Sequence, residues 1–495
     1  VIPAPQLPIA ALLRRLTGAA PLETHISAIF VGPDHAWKLK KAVALGFLDF
    51  TALAAREHFL RRELALNAPH APGLYQAVLP VTRTPEGGVE LDGPGEAVEW
   101  VLRMAAVPSG DFLDAVAEAG GLDGARLDAL ADAVFAMHAA LPAAAPLNDM
   151  AAVREGNRRA ALAAGLPQAR IAAWNTALAT RLAALAPVLA ARQAAGRVRR
   201  CHGDLHLGNL LLWQGRVCPF DALEFDEALA TIDTGYDLAF LLMDLEHRLG
   251  RAAANRVLNR YVARSGDIGL AAGLPAWLSL RAIIRAHVAG ARGRREEALA
   301  YLARAEAYLA PPPPRLVAVG GLQGTGKSRL ARALAPELGA APGALVLRSD
   351  EIRKRQAGVP PEQRLPPAAY APEASESVFA ELAAQAAEAI GAGHAVVADA
   401  VFGRPSERAA LEQAAGTAPF TGFWLTAPQE VLEARIARRR GDASDADAAV
   451  LAATAARDMG EIAWHVLDAT EDPLPAARAA LGLDAGGGDG PPGPP

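Results

Sequence analysis

The chain has 495 residues, of which 52% are hydrophobic and 21% charged, with a formal net charge of −5. That length exceeds one ordinary core and predicts two or three soluble domains. The mild acidity disfavours a general nucleic-acid binder, and the two cysteines, Cys201 and Cys218, are too few for a disulfide framework and read as small buried hydrophobes in a reducing compartment.

The N-terminus lacks the charged start and apolar run of a secretory signal, so the expected location is cytoplasmic. No segment reads as a membrane span. The most apolar stretch, GLAAGLPAWLSL, is short, broken by Pro275 and followed by Arg281. Residues 23–104 look strand-rich, through HISAIFVG, HAWKLKK, YQAVLPVTRT and VEWVLRM, with the helical stretch TALAAREHFLRRELALN between them. Residues 111–310 are mostly helical in pattern, and CHGDLHLGNLLLWQGRVCPFDALEFDE, residues 201–227, forms a hairpin inside them. A strand-rich lobe before a helix-rich lobe predicts a ligand cleft. Prolines 311–314 end the helix REEALAYLARAEAYLA and precede the buried strand LVAV, which marks a domain border.

Beyond that border, strands alternate with helices: GALVLRSDEIRK ending at Asp350, GHAVVADAVF ending at Asp399, then FTGFWLTAP. The alternation predicts a doubly wound parallel sheet with ligands at the carboxyl ends of its strands. The expected domains are therefore 1–310 (small lobe 1–104, helical lobe 105–310) and 315–484, with the Gly/Pro tail 485–495 disordered. The fold class is mixed α/β and α+β.

The stretch HGDLHLGN places Asp204 on a loop between apolar strands, with Asn209 five residues later and Asp221 at the end of the following hairpin. Oxygen-bearing side chains converging at one point suit Mg²⁺, and a carboxylate not on the metal can take the proton of an attacking hydroxyl. Upstream, period-two alternation puts Lys38 and Lys40 on one face of a strand, and the next helix offers Glu57 and Glu63. Asp237 opens an apolar helix and reads as an N-cap.

H-G-D-x-x-x-x-N, followed by a strand and an Asp, resembles the aminoglycoside phosphotransferase and choline kinase-like family, relatives of the protein kinases. The resemblance implies a bilobal protein-kinase-like fold for residues 1–310. It implies Asp204 as catalytic base, His202 as loop support, and Asn209 and Asp221 as Mg²⁺ ligands. It further implies a strand lysine on the ATP phosphates, assigned to Lys38, and a helix glutamate holding it, assigned to Glu63. The segment AVEWVLRM resembles the hinge that meets adenine, and an Asp at position 237 would also brace the catalytic loop. Two features depart from the protein kinases. No G-x-G-x-x-G precedes the lysine strand; ETHISAIF stands there instead and offers Ser27. No activation segment follows Asp221, which points to small-molecule acceptors.

GLQGTGKS, residues 321–328, matches G-x-x-x-x-G-K-[ST] in full, after a strand and before a helix. Gly321, Gly324, Thr325 and Gly326 would let backbone N–H groups meet phosphate, Lys327 would reach the β/γ-phosphates, and Ser328 would ligate Mg²⁺. Asp399 is the natural second carboxylate for that metal. Asp350 is the candidate that orients or deprotonates the acceptor, with a helix N-cap as its plain alternative. In EARIARRRGDASDADAAV, Arg435, Arg438, Arg439 and Arg440 read either as a solvated helix end or as a lid over the phosphoryl group. Arg435 is assigned to the nucleotide and Arg438 to the transferring group, with the choice among the four open. This half resembles small P-loop kinases of the gluconate kinase and zeta toxin types. The whole chain resembles a bacterial two-domain family that fuses the two parts.

The resemblance implies ATP and Mg²⁺ as cofactors and a small hydroxylated molecule as phosphoryl acceptor. Three readings compete: two kinase sites, one kinase site with the P-loop half as a regulatory ATPase, and a nonenzymatic nucleotide sensor, against which the intact Asp204, Asn209, Asp221, Lys327 and Ser328 argue; a further alternative for the second half is a polynucleotide 5′-hydroxyl kinase. The charge balance disfavours the last.

Overall fold

The computed structural model describes residues 1–45, 48–145, 149–438 and 443–483. The tail 485–495 and two of the four arginines considered for a lid, Arg439 and Arg440, lie outside the described residues. Packing divides the chain into two compact units. One joins Val1–Asp149 to Gln193–Leu241; the other joins Met150–Arg192 to the chain from Leu242 onward. Prolines 311–314 are therefore not the line along which packing divides the chain.

The first unit is built on a six-stranded antiparallel sheet. Its strands run, from one edge to the other, Leu22–Glu23, Ser27–Val31, His35–Lys40, Ala97–Ala105, Tyr75–Arg83 and Val89–Leu91. Alternation along His35–Lys40 sends Trp37 and Leu39 into a core with Leu13 and Phe30. It leaves Lys38 and Lys40 for the other face, that of the helix Leu53–Asn67. Leu60 of that helix packs with Leu74, Val78 and Leu102. Each such side chain, once buried, contributes roughly 1.5–3 kcal/mol to the fold.

Ala97–Ala105, read from sequence as a hinge, is instead a central strand. Tyr75–Arg83 pairs along it on one side, and His35–Lys38 pairs with Leu102–Ala105 on the other. After the strand Val198–Arg200, the chain turns through a loop into the hairpin Leu210–Trp213 and Arg216–Pro219. Gln214 and Gly215 turn it, both at positive φ (51° and 76°), as a two-residue hairpin of right-handed twist requires.

The second unit holds a five-stranded parallel sheet in the order Leu345–Arg348, Val396–Asp399, Leu316–Gly321, Phe420–Thr426, His465–Asp468. Val317, Val319, Leu330, Leu334, Val397 and Phe423 form its core. The helix Arg251–Ser265 covers one edge. Asn255 and Asn259 donate to the carbonyl of Ala344 at 3.0 and 3.2 Å, and Asn259 Oδ1 accepts the N–H of Val346 at 2.7 Å. An uncovered strand edge is a template for aggregation, and these amides occupy it.

Two sequence expectations shift here. The strand expected to end at Asp350 ends at Arg348, and Asp350 lies in the first turn of the helix Ser349–Gln356. Asp237 is likewise not an N-cap but the fourth residue of the helix Thr234–Leu249. Among the described residues no helix is long and apolar enough to cross a membrane, and the helix containing Pro275, Leu270–Ala291, is almost wholly buried.

Candidate active sites

In the first unit, the catalytic-loop residues are fixed by backbone hydrogen bonds. Asp237, fully buried, accepts the N–H groups of Gly203 at 2.9 Å and His202 at 3.1 Å, and its Oδ2 lies 3.1 Å from Nε2 of His138. His202 is buried, which pushes its imidazole below the ordinary value. Its Nε2 lies 2.8 Å from the Phe220 carbonyl, and its Nδ1 accepts the N–H of Asp204 at 3.3 Å. A neutral ring that accepts at Nδ1 donates at Nε2, so His202 ties the loop to the hairpin's far end. Asn209 donates to the backbone and the carboxylate of Asp204 at 2.9 and 3.0 Å. Its amide oxygen has no hydrogen-bond partner among the described residues. The Asp204 carboxylate is 43% exposed and lies 3.6 Å from Nε2 of His206.

Asp221 has a φ of +58°, a left-handed conformation that a non-glycine residue keeps only when its surroundings impose it. Here the Tyr75 hydroxyl accepts the N–H of Asp221 at 2.9 Å, and Asn67 Oδ1 accepts that of Ala222 at 2.9 Å. The carboxylate of Asp221 lies 2.7 Å from Lys38 Nζ, and Glu63 Oε1 lies 2.7 Å from the same ammonium. Burial opposes both charges. The Asp221 and Glu63 carboxylates nonetheless hold Lys38 well above the ordinary lysine value, and Lys38 holds Asp221 below the ordinary carboxylate range.

The structure thus brings Lys38, Glu63, Asp221, Asn209, Asp204 and His202 into one site. Sequence reasoning missed Lys40 and Glu224 as members. Lys40 is fully buried, binds Glu63 Oε2 at 3.1 Å and pairs with Glu224. Burial pushes the Glu224 carboxyl up, with Lys40 opposing. Period-two alternation was the available signal for Lys40. Ser27 departs from its expected place in a phosphate-covering turn. Thr24 Oγ1 accepts the N–H groups of Ile26 and Ser27 and closes the turn early. Ser27 becomes a buried strand residue paired with Lys40, and its hydroxyl has no hydrogen-bond partner among the described residues.

In the second unit, the loop after Leu316–Gly321 leads into the helix Lys327–Leu334. Gly324 and Gly326 have φ of +86° and +90°, and a Cβ at Gly324 would meet the Leu432 carbonyl at 2.8 Å. Only glycine permits this curvature, which turns backbone N–H groups inward. Thr325 is buried and, like Lys327, donates to the Leu322 carbonyl at 2.8 Å. Ser328 Oγ donates to Asp399 Oδ2 at 2.5 Å, and Arg348 Nε reaches the same oxygen at 3.1 Å.

A cavity of about 970 Å³ opens over the loop. Gly324, Gly326, Lys327, Ser328, Asp350 and Asp399 line it, and Arg435 and Arg438 reach it from the helix Gln429–Arg438. Arg435 also donates to the Ala469 carbonyl at 2.8 Å, whereas Arg438 is exposed. Burial pushes the Asp350 carboxyl above its ordinary value, against Arg348, which suits a group that accepts a proton. Gly321 ends the strand beneath the loop rather than lining the cavity. Sequence reasoning missed Asp445, which accepts from Lys354 Nζ at 2.8 Å, the Leu365 N–H at 2.8 Å and the Tyr370 hydroxyl at 2.7 Å. Asp445 thereby joins the helix Ser349–Gln356 to Leu365 and Tyr370.

Residues 52–283 match the model of a phosphotransferase enzyme family, and residues 316–458 match that of an AAA domain. Uncharacterized proteins of Mycobacterium tuberculosis and Mycobacterium bovis are 30% identical over 469 residues, covering 90% of this chain and 91% of theirs. Among solved structures, a glucosamine kinase with glucosamine, ADP and phosphate is similar at a TM-score of 0.39 and 19% identity, over 61% of this chain and 84% of that one. The GDP complex of aminoglycoside 2′-phosphotransferase-IIIa is similar at a TM-score of 0.36 and 15% identity, over 62% of this chain and 98% of that one. With both models matched in order and the mycobacterial relatives aligned over nearly their whole length, the chain belongs to a two-domain phosphotransferase family that joins an aminoglycoside phosphotransferase-like domain to a P-loop kinase-like domain.

Proposed function

We propose that the chain is an ATP-dependent kinase with two nucleotide sites, each transferring the γ-phosphoryl group to a hydroxyl of a small molecule in the cytoplasm. The observation that carries this reading is the convergence of Lys38, Glu63 and Asp221 beside the Asp204–Asn209 loop, with a complete P-loop in the same chain. The donor sets fit Mg²⁺: the Asp221 carboxylate and the Asn209 amide oxygen in one site, the Ser328 hydroxyl and Asp399 in the other, all hard oxygens. When bound, Mg²⁺ supplies charge neutralisation on the phosphates.

In the first site Lys38 turns from Asp221 to the phosphates while Glu63 keeps it aligned. Asp204 takes the proton of the acceptor hydroxyl as its oxygen bonds to the γ-phosphorus and ADP leaves. In the second, Lys327 and the loop N–H groups hold the β/γ-phosphates, and Asp350 takes the acceptor proton. Arg435 and Arg438 offset charge on the transferring group.

A mass-shift screen tests the reading. Protein and Mg·ATP are offered pooled sugars, aminoglycosides, nucleosides and short oligonucleotides, with Asp204→Ala and Asp350→Ala variants in parallel. The expected result is an added phosphoryl group on one small-molecule pool lost with Asp204→Ala and on another lost with Asp350→Ala. Products lost with Asp204→Ala alone would make the P-loop half a regulatory module, and phosphorylated oligonucleotides would make it a polynucleotide kinase.

A further inference from the structure

We infer that Lys40 and Glu224 are positioning residues that keep the Asp221 segment in place when Lys38 lets go of it; the inference rests on reading the first site as an ATP site. Lys38 has two partners here, Glu63 and Asp221, each at 2.7 Å. A phosphate that draws the Lys38 ammonium towards itself competes with Asp221 for that charge, while Glu63 keeps its own contact. When Lys38 turns to the nucleotide, Asp221 loses its ion pair at the moment its carboxylate is needed elsewhere. Its φ of +58° is a conformation that relaxes unless held from both sides. Tyr75 and Asn67 hold the backbone at Asp221 and Ala222.

Glu224, three residues beyond Asp221, supplies the other side. Its carboxylate pairs with Lys40, whose side chain is 0% exposed and so is out of a nucleotide's reach. Lys40 also binds Glu63 Oε2 at 3.1 Å, the oxygen that Lys38 leaves unused. Glu63 therefore stays anchored to the strand whichever partner Lys38 takes. The Phe50 ring centroid lies 5.3 Å from Lys40 Nζ. One lysine of the alternating pair is free to exchange partners because the other does not.

The test uses the full chain carrying Lys327→Ala, which silences the P-loop, and a non-hydrolysable ATP analogue titrated calorimetrically with and without Mg²⁺. Glu224→Gln and Lys40→Met are expected to raise the Mg²⁺ concentration for half-saturation by ~10–100-fold, the usual effect of removing a group that orients a metal ligand. Mg²⁺-free nucleotide affinity should stay at the parent value. Lys40→Met leaves Glu224 without its partner, Glu224→Gln leaves Lys40 with Glu63 alone, and either variant can fail to fold. The double variant Lys40→Met/Glu224→Met replaces the pair with apolar side chains of similar length and restores the melting temperature.

In that double variant the Mg²⁺ requirement is expected to remain high. A wild-type requirement in any folded variant, or a double variant that recovers both stability and Mg²⁺ affinity, overturns the inference and makes the pair purely structural. If the Lys327→Ala parent itself binds no Mg·nucleotide, the ATP-site reading fails first, and the inference falls with it.

Discussion

Asp221 Oδ1 lies 2.7 Å from Lys38 Nζ, so the carboxylate proposed to meet a metal is ion-paired with the ammonium proposed to meet phosphate. The pair fixes a pH signature. Asp221 is held below the ordinary carboxylate value, and Lys38 above the ordinary lysine value. A depressed acid contributes stability that is present above its unfolded pKa of about 3.9 and lost as pH falls through the lower folded value. A raised lysine contributes stability that is present below about 10.4 and lost as pH rises through the higher folded value. Between those limits the pair is pH-independent. Wild type should therefore gain melting temperature on Asp221→Asn as pH rises from about 2 to 5, with a constant difference up to about pH 9. Thermal scans across that range check it. A difference that keeps growing through neutrality would mean that another group titrates in the site.

The brace under the catalytic loop is equally specific. Asp237 is the acceptor for the N–H groups of both His202 and Gly203. Asp237→Ala orphans these donors, at roughly 1–3 kcal/mol for each buried group left unpaired. Urea denaturation should show a lower midpoint, and turnover at the first site should fall with it. An unchanged midpoint would show that the loop is held by other contacts.

The parts legible in the sequence were those set by short-range periodicity. Alternation in HAWKLKK put both lysines on one face, and the P-loop spacing announced its own strand and helix. What was illegible depends on partners far apart in sequence. Nothing local separates Glu63 from Glu57; Glu63 shares the helix's buried face with Arg56, Leu60 and Asn67, whereas Glu57 pairs with Arg61. Lys40 and Glu224 are 184 positions apart, and no spacing rule links them. Asp350 was placed at a strand end because LVLRSD reads as one extended run. The helix begins one residue earlier than that, at Ser349. The edge strand His465–Asp468 went unread because most of its residues are exposed and show no alternation.

The edge cover at Ala344 and Val346 predicts how the chain tolerates cutting. The prolines 311–314 invite cleavage there, but Asn255 and Asn259, which satisfy the edge, lie before them. A fragment starting at residue 315 should therefore be less stable than the same residues in the full chain, and more prone to aggregate. Asn259→Ala in the full chain removes the acceptor of the Val346 N–H and should cost roughly 1–3 kcal/mol. Equal melting temperatures for fragment and full chain would show that the sheet does not depend on its cover.

The two proposed sites would hold phosphate by unrelated designs, a strand lysine with a helix glutamate in one and a glycine loop in the other, and should be separable by single substitutions. Asp204→Ala removes the proposed general base, a role typically worth ~10²–10⁴ in rate, and leaves Lys38, Glu63 and Asp221 in place. Lys327→Ala removes the ammonium proposed to meet the β/γ-phosphates and should weaken both binding and turnover in the P-loop site. Calorimetric titration should then find two ATP equivalents for wild type and for Asp204→Ala, and close to one for Lys327→Ala. One equivalent in wild type, or the loss of both from a single substitution, would mean a composite site. The unit boundaries make that outcome worth testing, since helices from before the prolines pack with the P-loop sheet. Packing alone does not merge the chemistry, because every residue proposed for phosphate in the first site lies in the first unit and every one proposed for the second lies in the other.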